Sequence, residues 1–152
     1  MISAKKIERL DKFWEAVAAD VEAHLRTDGH VLHYHAMTRM EVRERVRDVV
    51  TNLQEWLSRP NDDLLAQRYE ALAKARFRQG IPLHEVIYKM AIIKQRLERR
   101  VLESDPSFSV LEVYEEYNWM RTIERAFEII TVAITESYEA ERLARKDAVP
   151  AS

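Results

Sequence analysis

The chain has 152 residues, 47% hydrophobic and 33% charged, with a formal net charge of −2 from 24 basic and 26 acidic side chains, and it has no cysteine. A chain of this length withdraws roughly 70% of its unfolded surface from water as one domain and needs no covalent staple. The near-balanced charge excludes a global field for nucleic acid or an anionic membrane, and the missing cysteines exclude disulfides, thiolate metal sites and thiol nucleophiles.

The first element is an amphipathic helix on Ile7, Leu10, Trp14, Val17 and Val21, which step by three and four up to a stop near Gly29. Charged residues from Lys5 to Glu15 break any signal-peptide core, and no later run approaches the roughly 20 apolar residues needed to span a bilayer. A cytoplasmic protein without a membrane partner is expected. The second helix carries Val42, Val46, Val49, Leu53 and Trp56. Thr38 and Glu41 have the spacing of a capping box at its start, Met37 and Val42 that of a hydrophobic staple, and Pro60 follows its end.

A third helix runs from about Asp62 to Gln79 on Leu65, Tyr69 and Leu72, its two leading aspartates complementing the positive end of the helix dipole. Gly80, Ile81 and Pro82 form a structural hinge: the glycine ends one helix with a positive φ, and the proline starts the next without losing a needed amide. The fourth helix shows Leu83, Val86, Met90, Ile93, Leu97 and Val101, ending before Asp105 and Pro106. Ser109 with Glu112 and Phe108 with Val113 mark the last helix, whose stripe of Val113, Tyr117, Met120, Ile123, Phe127, Ile130 and Ile134 alternates steps of four and three.

No segment alternates as a strand does. The expected fold is all-α, about five helices in a globin-related or four-helix-type bundle with a long C-terminal helix. Residues 1–146 form one sensor or interaction domain, and 147–152 a disordered tail. The last stripe is longer than one small core covers, so Tyr117, Met120, Ile123, Phe127, Ile130 and Ile134 are the candidate interface of a homodimer and the route of a signal.

The sites for chemistry are sparse. His24, His30, His33 and His35 are weak metal candidates, because His30 and His33 share a face only in a helix, and His33 and His35 only in a strand. No histidine follows a glutamate by three residues, as a di-iron bundle requires. Trp14, Trp56, Tyr114 and Trp119 are a possible ligand pocket, although aromatic residues at helical spacing are more often core. Lys74, Arg76, Arg78, Lys94, Arg96, Arg99 and Arg100 read as a solvated face with interspersed acids, so no nucleic-acid partner is expected. Two glycines cannot build a phosphate loop, and no hydrolase nucleophile motif is present. Neither an enzyme activity nor a cofactor is therefore expected.

The stretch from Arg76 through Gly80, Ile81, Pro82, Leu83, His84, Glu85 and Val86, followed by Met90 and by Ile92 to Arg96, resembles the N-terminal sensor domains of the RsbT co-antagonist (RsbR/RsbRD) family. Thr38 to Glu41 and Leu53 to Leu57 fit the same pattern, and the resemblance covers about Ile7 to Tyr138. It implies a non-haem, globin-related dimeric bundle of bacterial stressosome type. Such a bundle passes a conformational signal through its C-terminal helix to an output domain or partner of STAS or kinase type. The alternative is a small-molecule, haem or metal-binding bundle, with an enzymatic role left open.

Overall fold

The architecture was determined as a computed structural model that describes residues 4–29, 31–104 and 110–148. Six helices follow one another among them: α1 (Ala4–Thr27), α2 (Leu32–His35), α3 (Arg39–Ser58), α4 (Asp62–Arg78), α5 (Leu83–Ser104) and α6 (Val110–Ala148), with no strand among the described residues. Five match the elements expected from periodicity. The sixth is α2, a single turn too short to carry a hydrophobic period, which occupies the segment otherwise read as a polar connection.

Local chemistry sets the helix starts. The Thr38 hydroxyl accepts from the Glu41 amide at 3.1 Å, satisfying one free donor at the head of α3, and Met37 packs half-buried against the core. Asn61 does the same for α4, its side-chain oxygen accepting from the Leu64 amide at 3.0 Å. At the head of α6, Phe108, Ser109 and the Glu112 side chain lie outside the described residues; Val113, the far half of the expected staple, is exposed.

The turn between α4 and α5 is a Schellman motif. The Gly80 amide donates to the Phe77 carbonyl at 3.0 Å and the Ile81 amide to Arg76 at 3.1 Å, with Gly80 at φ +77°. The reversal turns the chain into α5 and buries Ile81.

Packing forms two layers around one core. α1 lies on α3 and α5, and α6 lies on α4 and α5, so α5 is the shared central helix. The centre is filled by Val17, Val21 and Leu25 of α1, Val46 and Leu53 of α3, Met90, Ile93 and Leu97 of α5, and Trp119, Ile123, Ile130 and Ile134 of α6. Each of these aliphatic side chains contributes roughly 1.5–3 kcal/mol by leaving water. No helix among the described residues is long and apolar enough to cross a membrane.

α6 has 39 residues, about 58 Å at the usual helical rise. It passes Lys146, where the sequence pattern places its end, and takes in Asp147 and Ala148; residues 149–152 lie outside the described residues. Its inner face carries Trp119, Ile123, Ala126, Phe127, Ile130, Ala133, Ile134 and Tyr138, all buried.

Gly80→Ala should lower stability by about 1 kcal/mol, because a side chain is strained at that positive φ although nothing lies within 4 Å of the added carbon. Gly29→Ala, which likewise meets no atom within 4 Å and lacks the left-handed backbone, is the control. Thermal melts of both variants check this, and equal melting temperatures would remove the role assigned to the turn.

Candidate functional site

The histidine-rich corner joins α1, α2 and α5; His24 and His35 both meet Asp28, one at its carboxylate and the other at its carbonyl, while His33 meets Glu85. His24 Nε2 lies 3.1 Å from Asp28 Oδ2 and 3.2 Å from the Tyr88 hydroxyl, with Arg96 Nη2 3.3 Å from its Nδ1. Tyr88 donates to the same Asp28 carboxylate. His33 Nδ1 is 2.9 Å from Glu85 Oε2, and the His33 amide donates to that oxygen at 3.2 Å. His35 Nε2 lies 2.7 Å from the Asp28 carbonyl, and His30 is outside the described residues. Among the described residues no three of His, Cys, Asp or Glu stand together as a metal site.

The four aromatic residues expected to share a pocket are dispersed. Trp14 lies half-buried beneath the guanidinium groups of Arg43 and Arg47, each 5.5 Å from its ring. Trp56 donates to Asp62 Oδ1 at 2.8 Å; Tyr114 is 61% exposed; Trp119 is buried in the core. Aromatic spacing on separate helices does not say whether the faces converge, and here they do not.

The α6 stripe is likewise redirected. Ile123, Phe127, Ile130 and Ile134 are 0–4% exposed and hold the chain's own core, and Met120 packs half-buried against it. Of the six expected interface residues only Tyr117 is exposed, at 58%. It belongs to a second apolar face on the first turns of α6, with Val110, Val113 and Tyr114, on the side of the helix opposite Trp119. Arg121 sits 5.8 Å over the Tyr117 ring one turn further on.

Three basic residues of α5 have polar partners. Arg100 grips Asp20 through two nitrogens at 2.9–3.1 Å, Arg96 meets His24, and Lys94 lies 3.8 Å from both Glu98 and Glu124. At the other end of the bundle Asp62 accepts from Trp56 and from Arg125 at 3.0 Å, and the indole N–H, then the guanidinium, hold its carboxyl below the ordinary aspartate range.

A different polar cluster lies inside the fold, and no motif in the sequence announces it. Lys89 of α5 is 2% exposed, and burial, with Arg76 and Arg45 nearby, pushes its ammonium well below the ordinary lysine range. Its Nζ is 5.3 Å from the centre of the Tyr34 ring, and the Arg45 guanidinium is 5.7 Å from the same ring. Tyr34 and Tyr69 are both buried, and burial pushes each hydroxyl up to about 12. On the far side, the Tyr138 hydroxyl of α6 donates to the Ile81 carbonyl at 2.7 Å, tying the last helix to the α4–α5 turn. The clue to Lys89 was positional: it falls on the buried side of α5 with Val86, Met90 and Ile93.

The family model described as the RsbT co-antagonist protein rsbRD N-terminal domain matches residues 14–148. Two solved structures of the globin domain of E. coli DosC, one ferrous and one ferric, are each 20% identical to the chain; each alignment covers 84% of this chain and 86% of that one, with a TM-score of 0.63. They place the fold as globin-like. No curated protein matches. The interior crevice here is lined by Val21, Leu25, Tyr34, Met37, Val42, Arg45, Val46, Lys89 and Ile93, without a histidine, so these residues do not fit a haem held by an axial imidazole.

Two consequences for stability follow. Tyr34 and Tyr69 ionise near 10.0 when unfolded and near 12 when folded, so the stability they contribute is complete below pH 10 and is lost as pH rises from 10 towards 12. Lys89, whose folded value is depressed, has the opposite sign, and its cost has faded once pH exceeds the ordinary lysine value of 10.5. Alkaline unfolding followed by circular dichroism should therefore coincide with a rise in tyrosinate absorbance across that window; unfolding complete below pH 10 would contradict the assignment. Separately, Tyr138→Phe should cost about 1 kcal/mol through the lost bond to Ile81, read as a lower melting temperature.

Proposed function

The chain belongs to the RsbT co-antagonist protein RsbRD N-terminal domain family, and from that premise we propose that it is a non-enzymatic sensor that passes a conformational signal along α6 to an output domain or partner protein. The observation that carries the reading is α6 itself. Its inner face is committed to α4 and α5 as far as Tyr138, and the helix then continues through exposed Glu139, Arg142, Arg145 and Lys146 to Ala148. A change in the packing of the bundle therefore moves a helix whose exposed, charged last turns run on past Tyr138, with Arg145 over the Phe77 ring. The family supports partner signalling proteins as the recipients, and this reading takes them to be of the STAS or kinase kind.

Within this reading the domain acts as a homodimer in the cytoplasm. The inner stripe of α6 is occupied, so the proposed contact is the outward face of its first turns, where Val110, Val113, Tyr114 and Tyr117 are 56–89% exposed. Apolar groups grouped on one surface mark interfaces, and a two-fold pair is the commonest assembly. Aromatic residues suit the centre of such a contact.

Sedimentation of the purified chain at micromolar concentration tests the proposal. A dimer is expected, weakened at least about tenfold by Val113→Glu with Tyr117→Glu, whose helical content and melting temperature stay near those of the parent chain. Ile130→Glu should instead destabilise the fold, since Ile130 is 1% exposed in the core. A monomer that persists as concentration rises would overturn the dimer, and a dimer indifferent to the paired substitution would place its contact elsewhere.

A further inference from the structure

The interior cluster combines three features. First, it is cationic: Arg45 of α3, Arg76 of α4 and Lys89 of α5 converge on Tyr34, each arginine depressing the ionisation of Lys89. Second, several of its polar atoms are unpartnered, although Arg76 Nη1 donates to Gln79 Oε1 at 3.3 Å. The Tyr34 hydroxyl, Arg45 Nη1 and Arg76 Nε are all buried without a hydrogen-bond partner. The carboxylate expected to answer Lys89 is Glu85, one turn earlier on the same helix, but it is turned towards His33, although its charge still acts on Tyr34. No described carboxylate stands within ion-pair distance of Lys89, and the acid that acts on Arg76, Asp48, is exposed on α3. Third, Tyr34, Arg45 and Lys89 together line one end of the interior crevice, whose remaining walls are Val21, Leu25, Met37, Val42, Val46 and Ile93.

A buried cation without a counter-charge is costly, and so is each buried donor left without an acceptor. The crevice as packed has no room for a free water molecule, so any ligand enters it only by moving its walls apart. An anion would answer all of these groups at once. A carboxylate is the match for a guanidinium, an ammonium and a phenol that line one crevice, because it accepts several donors through two oxygens. The apolar remainder of the crevice suits a short hydrocarbon tail, and it rejects the fully polar surface of phosphate. Met37, half-buried and unbranched beside α2, is the wall able to yield and admit a ligand.

From this arrangement we infer that the chain binds a short-chain monocarboxylate in the interior crevice, its carboxylate on Lys89, Arg45 and Tyr34 with Arg76 behind them, and its tail between α1, α3 and α5. The assignment deepens the sensor reading by naming the class of ligand sensed. Binding is read in the 152-residue chain itself, so it can fail while dimerisation and output stand, and the reverse.

Thermal melts in butyrate, against chloride at equal ionic strength, test it directly. Butyrate at saturation should raise the melting temperature by about 5 °C, with a saturable concentration dependence. Butanol, which carries the same tail without the charge, should give no shift, and inorganic phosphate none beyond chloride. Lys89→Met should melt higher than the parent without ligand, because the uncompensated ammonium is gone, and should lose the butyrate shift. Tyr34→Phe keeps the ring and should weaken butyrate about tenfold, which provides a second reading if Lys89→Met does not fold. The proposal is overturned if butyrate gives no saturable shift, if butanol or phosphate matches it, or if the shift survives in both variants.

Discussion

The contact on which the arrangement depends is the hydrogen bond from Tyr138 to the carbonyl of Ile81. It is buried, 2.7 Å long, and spans 57 residues of sequence, joining the last helix to the turn that reverses the chain between α4 and α5. The turn owes its shape to Gly80, whose left-handed backbone lets two amides return to the carbonyls of Arg76 and Phe77. α6 packs on both helices that meet there, so it joins α4 to α5 beyond the turn that connects them. Phe77 stacks edge-on against Tyr138 at 5.5 Å, and Arg145 lies 4.9 Å over the Phe77 ring, extending the contact past the bond itself. Tertiary structure at this end of the bundle is thus specified by a few polar and aromatic contacts placed on a general hydrophobic background.

The opposite character holds at the cluster around Lys89. There the hydrophobic background surrounds two arginine nitrogens and a phenol without a hydrogen-bond partner, beside a lysine whose charged form burial disfavours. Native interiors rarely keep such groups unless another purpose compensates for their cost, and the stability given up locally must be supplied by the rest of the core. The charges come from α3, α4 and α5, so whatever neutralises them alters how those three helices repel one another. That links the interior electrostatics to the same helices whose packing positions α6.

How much of this was legible in the sequence depended on range. Thr38 and Glu41 act within one turn, and Gly80 within two, so their spacing was sufficient to place the head of α3 and the end of α4. The inner stripe of α6 was legible as a stripe, but periodicity names a face without naming what covers it, and Ile123, Phe127, Ile130 and Ile134 proved to face the chain's own helices. Tyr34 was hidden in a histidine-rich segment whose single helical turn carries no period. Lys89 was hidden by its type: four residues after Glu85 it has the spacing of a surface ion pair, and only the long-range approach of α2 and His33 draws that glutamate away. The resemblance around Gly80 gave the family, while the interior cluster had to await the meeting of five helices.

The helix α6 contains neither glycine nor proline over its 39 residues. Sharp bends in helices arise at those residues, at bulges or at inserted groups, so this one has no sequence-encoded joint along its length. Under the proposed function, a roll or slide imposed where Tyr138 meets the α4–α5 turn would travel along one uninterrupted helix, because the exposed tyrosines near its start and the charged residues near its finish belong to the same element.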